Sequence, residues 1–109
     1  MIKKGCVYLI ADYNNNVFKI GASRNCAVKR MKQLQTGNSN PLELLETFTT
    51  NYPYRLETIL HNKFKYKKVH NEWYSLNEEE VKNFYLTCEE INKIIELMKD
   101  NPFFGKNLH

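Results

Sequence analysis

The chain has 109 residues, 42% of them apolar and 13% aromatic, which is enough for one compact domain over residues 1–109 with its own core. No run approaches the ~20 apolar residues that cross a bilayer, so membrane-spanning helices are excluded. The formal charge is +4, unevenly spread: residues 1–70 hold twelve Lys/Arg against four Asp/Glu (+8), and residues 71–109 hold four against eight (−4), which directs a polyanion to the first two-thirds of the chain.

The start, Met1-Ile2-Lys3-Lys4-Gly5, has no long apolar stretch, so no secretory leader is expected. Cys6, Cys26 and Cys88 are odd in number and form no CxxC pair. That argues against a zinc site or a disulfide scaffold and for a reducing, intracellular setting in cytoplasm or nucleus.

Residues 5–11 are apolar and β-prone and predict a first strand. Asp12-Tyr13-Asn14-Asn15-Asn16 is a turn cluster, and residues 17–21 are a second strand, making a hairpin. A connection of two or four residues puts Tyr8 on one face with Val17, Lys19 and Gly21, a two-residue turn placing it directly opposite Lys19; a three-residue loop reverses the parity. A helix begins near Asn25, spaces Val28, Met31 and Leu34 on one side, and stops at Gly37-Asn38. Residues 42–50 predict a third strand. Pro53 suits the first turn of a helix reaching Phe64, with Leu56, Ile59, Leu60 and Phe64 as its stripe. Residues 65–68 are a basic exit loop, and residues 73–76 a short apolar segment. Asn77 with Glu80 resembles a capping box, opening one long helix over residues 78–99 that Asn101-Pro102 ends. The expected class is α+β: a small three-stranded antiparallel sheet flanked by helices, with a long C-terminal helix.

Across these elements lies an ordered set: Gly5-Cys6-Val7-Tyr8 on the first strand, Phe18-Lys19-Ile20-Gly21 on the second, Arg30 on the first helix and Glu57 on the next. Order and spacing resemble the GIY-YIG nuclease superfamily, over a core of about residues 5–81. The phrases Phe-Lys-Ile-Gly, Lys-Gln-Leu-Gln-Thr-Gly-Asn, Leu-Glu-Thr-Ile-Leu-His and Asn-Glu-Trp-Tyr look closest to a phage and large-virus branch often labelled a DNA-binding domain. Two positions depart: Lys19 replaces the second-motif tyrosine, and Leu34 stands where many relatives have His or Tyr.

The resemblance implies a metal-dependent endonuclease acting on DNA. Tyr8 would be the general base, Arg30 would hold the scissile phosphate, and Glu57 would ligate one Mg²⁺ or Mn²⁺. A phenol titrates near ~10, so it needs a neighbouring cation, for which Lys19 on the same face is the candidate. A guanidinium fork suits phosphate, and one carboxylate suffices for Mg²⁺ when water and substrate complete the shell. His61, one turn after Glu57, would give a proton to the leaving oxygen or contact phosphate. Glu72 is a second acid whose loop the sequence does not place. Arg24, Lys29, Lys32, Lys63, Lys65, Lys67 and Lys68, with Lys3 and Lys4, are candidates for non-specific phosphate contacts, and Tyr52, Tyr54 and Tyr66 for stacking on bases.

Each residue also has an ordinary role open to it: a strand tyrosine with its hydroxyl in water, solvated helix arginine and glutamate, a structural histidine. Trp73 and Tyr74 read as core anchors. Two other functions fit the residues. One is a catalytically silent DNA-binding module on the same scaffold. The other is a protein-interaction domain, or a homodimer, docking through the C-terminal helix and the Phe103-Phe104 tail. Cutting chemistry requires phenol, ammonium, guanidinium and acid to converge on one concave surface, with the helix of Glu57 on the phenol's side of the sheet.

Overall fold

A computed structural model of the chain describes residues 4–24 and 27–99. Lys3, the expected helix start at Asn25, Cys26 and the Phe103-Phe104 tail lie outside the described residues. The elements in order are β1 (Gly5–Asp12), β2 (Val17–Ser23), α1 (Ala27–Thr36), β3 (Glu43–Thr50), α2 (Pro53–Lys63), a 3₁₀ turn (Lys65–Lys67), β4 (Lys68–His70), β5 (Trp73–Tyr74), α3 (Glu78–Lys82) and α4 (Phe84–Met98).

The sheet has five antiparallel strands in the order β3-β1-β2-β5-β4, not three. The two additional strands are three and two residues long, too short to show a period of two. β1 sits between β2 and β3 and is buried along its whole length, which is why it reads as a continuous apolar run. The hairpin turn has four residues. It pairs Asp12 with Val17 and therefore Tyr8 with Gly21 and Ile10 with Lys19. Asn16 takes the left-handed conformation at φ 53°, which asparagine tolerates. Tyr8 and Lys19 thus share a face, diagonally rather than directly opposed.

The two faces bury different sets. Val7, Leu9, Phe18 and Ile20 point into the main core with Leu56, Leu60 and Phe64 from the α2 segment and Phe84, Cys88 and Ile95 from α4. Cys6, Tyr8 and Ile10 point the other way, under Met31 and Leu34 of α1, with Trp73 beside them. Val28, expected on the α1 stripe, is 46% exposed.

Pro53 opens α2 as expected. Its ring comes so close to Gly5 that a Cβ there would stand 2.8 Å from Pro53 Cγ, so the first-motif glycine admits the helix. Asn77 and Glu80 form the full capping box. The single helix expected over residues 78–99 is instead two, broken at Asn83, where ψ is 10°. Asparagine is a weak helix former, and the apolar spacing on either side hides the break. Cys6 and Cys88 are both buried, and burial pushes the Cys88 thiol up to about 12.

Candidate active site

Gly21 is the starting point. A Cβ there would lie 2.7 Å from Tyr8 Cε1 and nearer still to other atoms of the phenol. The bare backbone of the second motif is what lets the Tyr8 ring lie across β2. The ring is 1% exposed, and the Arg30 guanidinium is near enough to its hydroxyl to favour the ionised form. Burial pushes the phenol above its ordinary value. Arg30 counters this, and the carboxylates of Glu72 and Glu57 add to it. The cation leading on the phenol is therefore Arg30, not Lys19 as the shared face suggested.

Lys19 is 6% exposed. Its ammonium is paired with Glu72 and lies 5.9 Å from the centroid of the Trp73 ring. Glu72 reaches it because Asn71, in the left-handed region at φ 49°, turns the chain between β4 and β5. Ile20 N donates to the Glu72 carbonyl at 3.2 Å, fixing that turn against β2.

Strand β5 pairs with β2 only at Phe18 and Lys19. Beyond it the edge of β2 is open, and α2 fills the gap. His61 Nε2 sits 2.8 Å from the Ile20 carbonyl oxygen. A carbonyl only accepts, so Nε2 carries a proton, and in the neutral ring Nδ1 then keeps its lone pair. The His61 ring also packs at 5.5 Å on Tyr74.

Because α2 packs on the main-core face, the expectation that its acid shares the phenol's side of the sheet fails. The groups meet nonetheless, around the open edge of β2. Ligand atoms of Glu57, His61 and Glu72 all lie within 4.8 Å of one another. Glu57 and Glu72 thus feel each other's charge directly. Burial, then the Glu72 charge, raises Glu57 above the usual carboxylate range. Glu72 moves the other way: burial alone would raise it, but the hydrogen bond and charge of Lys19 hold it low. The two acids are thus driven apart, Glu57 upward and Glu72 downward. Two carboxylates and an imidazole nitrogen form a donor set suited to a hard or borderline dication.

Tyr8, Lys19, Arg30, Glu57 and His61 are brought together. Glu72, absent from the ordered quartet, completes the cluster; its signal in the sequence was the Asn-Glu pair before Trp73, an asparagine turn that aims the acid. Trp73 is half-buried beside the site, while Tyr74 is a core residue. Among the basic candidates, Lys29 and Lys32 are exposed on α1 with Arg30, and Arg24 lies over Tyr54. Lys63 and Lys65 lie over Phe64 and Tyr66, and Lys68 is exposed on β4. Lys63 closes α2, and Lys65, Lys67 and Lys68 follow it. Lys67 is 2.7 Å from Glu80, partly neutralised. Tyr66 is 90% exposed, whereas Tyr52 packs against the core.

Fold and site together define a small α+β domain with a cluster of acids, histidine, phenol and guanidinium at an interrupted sheet edge. The chain belongs to the T5orf172 domain family, whose model matches residues 5–96, a phage-associated domain related to nuclease-like folds. No curated protein and no solved structure is significantly similar to it. Family membership is compatible with a nuclease or DNA-binding role. None of the described helices is long and apolar enough to cross a membrane.

Proposed function

We propose that the protein is a metal-dependent endonuclease hydrolysing DNA phosphodiester bonds. The observation that carries this is the meeting of the Glu57, His61 and Glu72 ligand atoms within 4.8 Å, with the Tyr8 phenol and the Arg30 guanidinium close by. Glu57 and Glu72, with Nδ1 of His61, would hold one Mg²⁺ or Mn²⁺. Such an ion, once bound, polarises a phosphate oxygen and reverses the negative local charge.

Arg30 binds the scissile phosphate, presenting a planar fork from an exposed helix flanked by Lys29 and Lys32. The Tyr8 phenolate would accept the proton of the attacking water; burial and the two carboxylates oppose that form, while Arg30 and a cation bound at the acids favour it. Lys19 keeps Glu72 ionised and aimed. His61, held through Nε2, is positioned rather than free to protonate the leaving oxygen at that nitrogen.

The test is incubation of pure protein with duplex, branched and single-stranded DNA in Mg²⁺ or Mn²⁺. Glu57→Ala should abolish nicking, and Arg30→Ala should slow it about 10²–10³-fold, as loss of a transition-state donor does. Cleavage undiminished in Glu57→Ala would sink the assignment. Leu34 favours a second reading: it packs against Cys6, Tyr8 and Ile10, so no proton-carrying group stands one turn after Arg30. A silent DNA-binding module would show salt-sensitive binding and no nicking even in Mn²⁺.

A further inference from the structure

A second concavity lies on the same sheet face as Tyr8, toward the hairpin turn. Its volume is about 440 Å³, within the range of small-molecule sites, and its walls include Asp12, Asn15, Asn38, Val69, His70 and Trp73. Asp12 and Val17 share the face of Tyr8 and Lys19 by strand alternation. Trp73 pairs across to Lys19 and packs against the cluster containing Tyr8. One indole therefore borders both the cavity and the candidate active site.

We propose that this cavity is a subsite for one unstacked nucleobase of the bound strand, a few nucleotides at most from the scissile phosphate. The proposal rests on the nuclease reading of the neighbouring site. The walls favour a base over a phosphate: none of the lining residues is Lys or Arg, and Asp12 is an ionised acid. What the cavity offers is an indole, aliphatic surface from Val17 and Val69, and amide groups. These are the elements that hold a splayed base, by stacking and by hydrogen bonds to its edge.

The amides are fixed in advance. Asp12 Oδ2 accepts from Asn15 Nδ2 at 3.0 Å and from Asn40 Nδ2 at 3.3 Å. Asn38 Oδ1 accepts from Asn40 N at 2.9 Å, and Gln35 Nε2 ties down the Asn38 and Asn40 carbonyls. With those bonds made, Asn15 Oδ1 is left as an acceptor and Asn38 Nδ2 as a donor, the pairing a base edge needs. The distance is also suitable. Gly21, under the Tyr8 ring, and Val17, at the cavity, are about 13 Å apart at ~3.3 Å per strand residue, which a stretched single strand covers in a couple of nucleotides.

The chain has one tryptophan, so intrinsic fluorescence reports on this cavity. The experiment titrates full-length protein, in EDTA to prevent cleavage, with a short oligothymidylate and with the same oligomer carrying one abasic position moved stepwise along it. Quenching of Trp73 is expected, with one abasic position weakening binding about 10-fold, the scale of a lost stacking contact. Asn38→Ala/His70→Ala should erase that position dependence while leaving the remaining, salt-sensitive affinity. Equal affinity for every abasic oligomer with unquenched Trp73 would overturn the subsite and leave the nuclease reading standing. Absence of any nucleic-acid binding at low salt would overturn both. Thymidine monophosphate binding as tightly as the oligomer would instead make this a free-nucleotide site and overturn the proposal.

Discussion

The Tyr8 ring rests on the Gly21 backbone, with no room for even one methyl group between them. Gly21→Ala should therefore cost about 1–3 kcal/mol through overpacking and displace the phenol from Arg30. Urea unfolding measures the first effect and DNA cleavage the second. A variant as stable and active as the parent would contradict the contact.

Lys19 and Glu72 form a pair with one partner buried and the other half in water. Lys19→Met should cost about 1–3 kcal/mol, below the ~3–5 kcal/mol of a wholly buried pair because water screens Glu72. A double-mutant cycle with Glu72→Gln should return a coupling of similar size. Zero coupling would mean that the ammonium is held by Trp73 packing alone.

Asp12 carries an acid-dependent part of stability away from the site. Burial opposes its charge, but hydrogen bonds from Asn15 and Asn40 outweigh burial and hold it below the ordinary ~3.9. A lowered folded value means that its contribution is present above pH ~3.9 and is lost as pH falls through the folded value. Asp12→Asn should thus be less stable than the parent at neutral pH by about 1–2 kcal/mol, and the gap should close in acid. A gap equal at both pH values would refute this.

Salt dependence separates useful from neutralised lysines. Lys29→Gln and Lys32→Gln should each reduce the slope of log affinity against log salt by about 0.7–0.9, the value of one phosphate contact. Lys67→Gln should change it far less, because its ammonium is engaged by Glu80. The reverse pattern would move the nucleic-acid path from α1 to the end of α2.

His61 should be found as the Nε2–H tautomer, since that nitrogen donates to the Ile20 carbonyl. Proton–nitrogen correlation spectra of the neutral ring read this directly. The Nδ1–H form would exclude Nδ1 as a metal ligand and break the proposed donor set.

Much of this was legible in the chain itself. Local chemistry marked the hairpin, Pro53 at the α2 start and the Asn77–Glu80 cap, while the shared face of Tyr8 and Lys19 hung on the length of the turn, which the structure fixes at four residues. What escaped depended on distant partners. β4 and β5 are too short to carry a pattern and exist because β2 offers an edge some fifty residues earlier in sequence. Glu72 enters the site only through that pairing and the turn at Asn71. The side of the sheet taken by α2 was misjudged for the same reason: Glu57 lies beside its apolar stripe, and nothing local shows that the sheet edge it overhangs is left open.

That open edge has a second consequence. A strand with unpaired backbone groups is a template for intermolecular pairing and aggregation. Here His61 and the Asn71-Glu72 turn occupy the Ile20 hydrogen-bonding positions, so the residues assembled for chemistry also act as a plug. Variants that empty the cluster should be watched for clumping as well as for lost activity, and solubility should fall first where His61 is removed.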